Sequence, residues 1–322
     1  MKANIDTECP MVSVVMVAYN SAKYIDEAIA GVVRQKVNFG VELLVMDDCS
    51  TDSTPEIARH WAVKYPHIVK YVRNERNLGS QGNYLAGFAL CRGKYVALCD
   101  ADDYWCSRRK LSRQVTYMES HPECALTCHR VINYYEATGE KSFSNGGQKN
   151  ECTPVDLSRS NFITNLSVIY RRELVDLKNL PAWILDHKAP DYALHMLYAV
   201  KGSIHFFGRP MGVYRKVTGA IWSTTSEYRR LKMALDMRIA LMRELEAYPE
   251  VQPGLRDASK AIVRAMMRCV SSNDERAEVS EYARLFDIEL EMSGNAVTPA
   301  PKKGAVSRLV RRISRFVPRP RP

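Results

Sequence analysis

The segment KYVALCDADDYW, residues 94–105, carries an apolar stretch straight into three carboxylates, Asp100, Asp102 and Asp103. A second acidic run, DDCSTDST at residues 47–54, also follows an apolar stretch. A single pair of aspartates after a strand is ordinarily a solvated loop. Three of them, facing a second acidic loop, suit a hard divalent cation such as Mg2+ or Mn2+, which takes carboxylate oxygens and keeps positions open for phosphate oxygens. Asp100 and Asp102 stand two apart, so an extended backbone turns both side chains to one side. One can reach a metal while the other contacts a sugar or ribose. A second ligand pattern, Cys124, Cys128 and His129 with His121 nearby, is weaker. It lies in PECALTCHRVINYY, which alternates like a strand, and no second ligand pair follows, so no zinc site is expected there.

Positioning those carboxylates falls to alternating strands and helices. Residues 12–17 form a β-branched run, followed by a helix in which Ile25, Ala28, Ile29, Val32 and Val33 share a face, with Ser21 as its expected cap. VELLVM (41–46) reads as a second strand, and the helix after its acidic loop opens on Pro55. Residues 68–72 and 95–99 read as further strands, with a helix over 80–91 between them. Such alternation predicts a doubly wound parallel sheet, which binds ligands beyond the carboxyl ends of its strands. Three polar clusters therefore meet at one edge: AYN (Ala18, Tyr19 and Asn20), DDCSTD and DADD. Further on, a helix is expected over 110–120, strands over 125–135 and 166–171, and a surface loop over 144–151. A helix over 190–200, two short strands around Phe206 and Tyr214, and charged helices from 226 to 286 complete the reading.

Taken in order, VSVVMVAYN, LLVMDDCSTDST, NLGSQGNYLAGFALCRGKYVALCDADDYW and KLSRQVTYMESHPE resemble the inverting nucleotide-sugar glycosyltransferases of family 2, the type that builds capsular and cell-surface polysaccharide. The resemblance continues through NFITNLSVIYRR, PDYALHMLYAVKGSIHF and VYRKVTGAIWS, covering residues 10–225. It implies a GT-A-like α/β fold, a doubly wound and mostly parallel sheet flanked by helices, with a helical C-terminal region. The expected partition is a catalytic domain over 1–225, a helical region over 226–297 and a basic tail over 298–322.

The same resemblance implies roles. The backbone of Ala18, Tyr19 and Asn20 lies against the nucleotide, and Asp47 or Asp48 binds uracil of a UDP-sugar donor. Asp100, Ala101 and Asp102 bind ribose and the diphosphate-bound Mg2+ or Mn2+. Asn83 matches a base- or sugar-contacting position, the alternative being a residue on the helix surface. Asp191, in KAPDYALHML, matches the general base that deprotonates a hydroxyl of a saccharide acceptor. Pro190 suits the start of a helix, and the helix dipole favours a charged carboxylate in the first turn. One departure stands out. Similar sequences read YR-x-H-G-G where this chain has Tyr214, Arg215, Lys216, Val217, Thr218 and Gly219. With no histidine at Val217, either the metal has one fewer protein ligand or Arg215 and Lys216 take up part of the phosphate charge as cations.

Of 322 residues, 46% are apolar and 25% charged, as in ordinary globular proteins. Nine cysteines without a repeating pattern do not form a disulfide framework. The N-terminal MKANIDTECP lacks the apolar core of a signal peptide, so a cytoplasmic location is expected. After Glu291 the chain has no acidic residue, and eight Lys and Arg there supply most of the net +10. GAVSRLVRRISRFV (304–317) alternates apolar and arginine positions at helical spacing, a pattern suited to the anionic inner face of the cytoplasmic membrane and to a lipid-linked acceptor. No nucleic-acid fold is recognisable beside a nearly neutral body. Two rival enzymes fit less well: a nucleotidyltransferase needs a Gly-rich basic loop after its first strand, and an aspartate-nucleophile phosphohydrolase places Asp-x-Asp there. The remaining rival is a non-catalytic nucleotide- or saccharide-binding relative.

Overall fold

A computed structural model describes residues 10–185, 187, 190–217 and 225–288. The tail over 298–322 and the end of the region over 226–297 lie outside the described residues. The strands are β1 (Val12–Ala18), β2 (Val41–Asp47), β3 (Val69–Arg73), β4 (Tyr95–Leu98), β5 (Tyr104–Trp105), β6 (Cys124–Tyr135), β7 (Lys141–Phe143), β8 (Glu151–Cys152), β9 (Ile169–Arg171) and β10 (Ser203–Lys216). The helices are α1 (Ile25–Val33), α2 (Thr54–Lys64), α3 (Gly79–Leu90), α4 (Lys110–Ser120), α5 (Pro154–Arg159), α6 (Ala182–Leu185), α7 (Asp191–Ala199), α8 (Glu227–Glu244), α9 (Gln252–Cys269) and α10 (Asn273–Leu285).

The sheet runs β3-β2-β1-β4-β9-β6-β10-β5. Its first four strands are parallel, joined by crossover helices, and form the doubly wound half. β9 then pairs antiparallel with both β4 and β6, while β6 and β10 are parallel to each other. Both faces of the sheet are apolar: Val12, Val14 and Met16 pack towards α1 and α2, and Val15, Leu44 and Met46 pack towards α3 and α7. β1 is central in the sheet and nearly fully buried, which is why it reads as an unbroken apolar run.

Three local expectations are corrected. Ser21 does not cap α1, which begins a turn later at Ile25. The Ser21 carbonyl accepts from the amides of Tyr24 and Ile25, and its own amide donates to Thr54 Oγ1 at 2.7 Å. The strand expected over 166–171 shortens to β9 behind a 3-10 turn, Asn165–Ser167, because Trp105 Nε1 and Gln114 Nε2 capture the carbonyls of Leu166 and Ser167. The two short strands around Phe206 and Tyr214 are one strand, β10, with a register shift between Phe207 and Gly212. Among the described residues the Cys124–Cys128–His129 pattern gathers no metal ligands. It is a stretch of β6, and His129 Nδ1 bonds the Arg130 carbonyl oxygen.

α8 joins the helical C-terminal region to the sheet domain. Met237 and Leu241 enter the same apolar cluster as Ile184, Tyr192 and Phe88. Its other face, with Tyr228, Leu235 and Ile239, packs against α9 and α10. No described helix is long and apolar enough to cross a membrane.

Candidate active site

Register brings the polar clusters together. Ala18 pairs with Asp47 across β1 and β2, and Val15 with Leu98 across β1 and β4. Beyond the strand ends, the Asp48 amide donates to the Ala18 carbonyl at 2.8 Å and the Ala101 amide to the Val17 carbonyl at 3.1 Å. The two acidic loops are thus laid against the end of β1. They border a cleft of about 1430 Å³, which Asp191 enters from the start of α7.

The loop after β1 is held by the loop after β2. Asn20, in the left-handed region at φ 49°, accepts the Thr51 amide on Oδ1 at 2.8 Å, and its own amide donates to Ser50 Oγ at 3.0 Å. Asp52 takes the amides of Ala22 and Thr54. Tyr19, 52% exposed, faces the cleft beside Ala18. Of the two aspartates left open by the sequence, Asp48 lines the cleft and Asp47 does not. Asp47 is fully buried under Arg73 (2.7 Å) and Tyr71 (2.6 Å). Burial alone would raise its pKa, but hydrogen bonds from Ser50 and Tyr71 and the Arg73 charge hold it below the usual range. Its role is to anchor the loop. Asp48 receives the Leu78 amide and Asn74 Nδ2 on the same oxygen, Oδ1.

Asn83 is not a surface residue. It is 1% exposed, its Nδ2 donates to the Met46 carbonyl at 2.8 Å, and its Oδ1 accepts from Asn74 at 2.9 Å. It borders the cleft but spends its amide on holding Asn74, and through it Asp48. The sequence pattern could not distinguish this buried strut from a ligand contact.

Asp100, Asp102 and Asp103 each offer a carboxylate oxygen within 4.8 Å of the others. Burial raises Asp100 to about 7, with the Asp102 charge adding to it. Burial also raises Asp102, and it raises Asp103 well above the usual range. Three crowded, partly desolvated oxygens favour protons or a hard cation over mutual ionisation, so the donor set fits Mg2+ or Mn2+. Asp100 and Asp102 line the cleft, with Ala101 between them; Asp103 points inward, where Oδ1 accepts the Arg215 amide at 2.8 Å.

Arg215 is tied into the protein by several contacts. Its guanidinium donates to the Asp102 carbonyl at 2.7 Å, pairs with Glu27, and lies over the rings of Tyr104 and Tyr24 at 4.5 and 5.2 Å. It clamps the acidic loop and also borders the cleft. Lys216 remains exposed and faces the cleft. Two contacts were not anticipated. Tyr84 OH donates to Asp100 Oδ1, and Asn165 Nδ2 donates to Tyr84 OH at 2.8 Å. Tyr84 adjoins Asn83 in a helix whose apolar residues mask it, and Asn165 lies in a polar turn with no motif of its own.

Asp191 is the first residue of α7, with Pro190 at the cap. Burial raises its pKa to about 6, against the opposing pull of its own and the Tyr192 amide. The helix end therefore moderates the desolvation instead of overriding it. At neutral pH the carboxylate is mostly ionised and close in proton affinity to its surroundings, as a general base should be.

The family profile described as Glycosyl transferase family 2 matches residues 13–177. The chain belongs to this family. An uncharacterized protein of Mycobacterium tuberculosis H37Rv is 35% identical over 219 residues, 68% of this chain and 62% of that protein, so less than two thirds of the relative's length is spanned. Abequosyltransferase RfbV of Salmonella typhimurium is 31% identical over 121 residues, 37% of this chain and 36% of that one. Among solved structures, residues 1–349 of S. aureus TarS in complex with UDP align with TM-score 0.61 and 17% identity over 85% of this chain and 79% of that one. A mannosyltransferase from Pyrobaculum calidifontis in complex with GDP-Man and Mn2+ aligns with TM-score 0.58 and 20% identity, over 86% and 80%. The family 2 glycosyltransferase has the GT-A-like fold these neighbours share.

Proposed function

We propose that the protein is an inverting glycosyltransferase that moves a sugar from a nucleotide donor, a UDP-sugar, to a hydroxyl of a saccharide acceptor in cell-surface or capsular polysaccharide synthesis. The observation that carries this reading is the single cleft shared by Asp191 and the pair Asp100 and Asp102. The nucleotide base lies with the loop of Ala18, Tyr19 and Asn20, and its ring N–H donates to the Asp48 carboxylate. In the reaction the acceptor oxygen attacks the anomeric carbon while Asp191 takes its proton. The bond from that carbon to the diphosphate oxygen breaks, and its electron pair leaves with the nucleoside diphosphate. Asp100 and Asp102 would hold Mg2+ or Mn2+, which when bound supplies positive charge to the diphosphate. Tyr84 and Asn165 orient Asp100, and Arg215 orients the backbone of Asp102.

The TarS complexes with UDP and UDP-GlcNAc support UDP as the nucleotide, and a hexosyl or N-acetylhexosaminyl group as the sugar moved. The basic amphipathic pattern at 304–317 supports a cytoplasmic protein resting on an anionic membrane surface, beside a lipid-linked acceptor. Asp191→Asn is the direct test. It should lower turnover by about a hundred- to ten-thousand-fold while donor affinity, measured by calorimetry, stays as in the wild type. Full turnover by the variant would remove Asp191 from the mechanism. A wild type that binds a UDP-sugar but neither transfers nor slowly hydrolyses it would favour the non-catalytic alternative.

A further inference from the structure

A second cavity, of about 520 Å³, adjoins the Arg215 clamp and shares no lining residue with the catalytic cleft. Glu27 of α1 and Arg34 just beyond it form one wall, and Tyr104, Cys106 and Arg108 form the other. The two walls are locked together at Gly31, where a methyl group would stand 2.9 Å from the Trp105 carbonyl oxygen. That close backbone approach is what a side chain at Gly31 would prevent.

The charge of this pocket is unbalanced. Glu27 is the one carboxylate among its described lining residues, and it is already paired with Arg215. Arg34 is exposed and forms no ion pair or side-chain hydrogen bond among the described residues. Arg108, also exposed, donates from Nε to the Arg34 carbonyl at 3.4 Å, and its two terminal nitrogens have no partner among the described residues. Lys110 adds charge from inside. Its Nζ is buried without a hydrogen-bond partner among the described residues and lies 4.1 Å over the ring of Trp105, itself a lining residue. Two arginines from different segments thus converge on one pocket with no carboxylate of their own, a field that draws in an anion.

We infer that this pocket is an anion-binding site, in which Arg34 and Arg108 take a phosphate or carboxylate group carried on a body the size of a monosaccharide. A planar guanidinium matches two such oxygens at once, and the cavity is of the size that encloses a small ligand. Neither arginine lines the catalytic cleft, so the site is separate from that of the donor. Its place ties it to the acidic loop all the same. Glu27 and Tyr104 face the pocket and also hold the Arg215 guanidinium, which donates to the Asp102 carbonyl.

Cys106 is an exposed thiol on the pocket wall and reports occupancy. The full-length protein is treated with iodoacetamide, and labelling of Cys106 is followed by mass spectrometry against Cys269, a thiol on α9 that does not line the pocket. The probes are glucose 6-phosphate, glucuronate and neutral glucose, at one ionic strength held with KCl. A bound anion should slow Cys106 labelling by about fivefold or more at saturation and leave Cys269 unchanged. Which of the two anions does so identifies the group recognised, and glucose should have no effect. Arg34→Gln and Arg108→Gln should each lose most of the protection. Arg109→Gln should keep it, because Arg109 is exposed beside the pocket without lining it and controls for net charge. No slowing by either anion beyond that of glucose overturns the inference. Undiminished protection in either pocket-arginine variant, or an equal loss in Arg109→Gln, overturns it too. Each of these results leaves the transferase reading standing.

Discussion

At the scale of single residues, the site combines groups that face the cleft with groups that hold them in place. Asp47, Asn83 and Arg215 carry the residue types expected of donor contacts, yet each spends its polar atoms inside the protein. The pattern of types is the same for a strut and for a ligand contact, because both need a hydrogen-bonding side chain at a strand end. Only partners in space tell them apart, and those include Tyr71, 24 residues from Asp47, and Glu27, 188 residues from Arg215. Asp191 is the reverse case: its place at the opening of α7 was legible from Pro190 and the residues around it, and its environment was not. Burial raises it to about 6. A base must be deprotonated to act, so kcat/KM should be flat above about pH 7 and fall about tenfold per pH unit below about pH 6. In Asp191→Asn that limb should vanish from the residual rate. A wild-type acid limb that breaks near pH 4 would mean the carboxylate is not desolvated as described.

The elements matter through how closely they approach. α3 supplies Tyr84 to Asp100 and Asn83 to the Asp48 network, and it reaches the sheet at Gly87. A methyl group there would stand 2.6 Å from Val15 Cγ1 and 3.1 Å from Met46 Cγ. Val15 is β-branched on the central strand and cannot rotate away cheaply. Gly87→Ala therefore pits an overpacking cost of about 1–3 kcal/mol against a gain in helix propensity of about 1 kcal/mol. The clash should win, lowering the denaturation midpoint and weakening Mn2+ binding through displacement of Tyr84. Gly147→Ala, with nothing within 4 Å, should leave both unchanged. Equal midpoints in the two variants would show that α3 can shift at no cost. Strands β1, β2 and β4 and helices α3 and α4 were legible because buried parallel strands and amphipathic helices impose their periods on the sequence. The 3-10 turn over Asn165–Ser167 and the bulged β10 were not, because side chains distant in sequence set them.

For the whole molecule, the question is whether the helical C-terminal region is an appendage or part of the enzyme. Its sequence shows charged helices and no chemistry, which left its role unread. In the fold, Met237, Leu241, Leu245, Val251 and Leu255 lie in one apolar cluster with Ile184, Tyr192 and Leu157 of the sheet domain. Arg238 and Glu244 add polar contacts to Tyr192 and Trp183 on the same seam. Removing the region would expose that cluster beside Tyr192, next to Asp191, and an exposed apolar patch of this kind drives aggregation. A chain ending at residue 225 should therefore be insoluble or bind a hydrophobic dye strongly. The full chain should unfold in one cooperative transition whose midpoint rises with UDP and Mn2+, since a ligand of the native state stabilises all that folds with it. A soluble, monomeric 1–225 piece with the full chain's midpoint would make the region an independent neighbour. If the prediction holds, the cleft cannot be assembled without α8. The same helix that completes the core also borders the site.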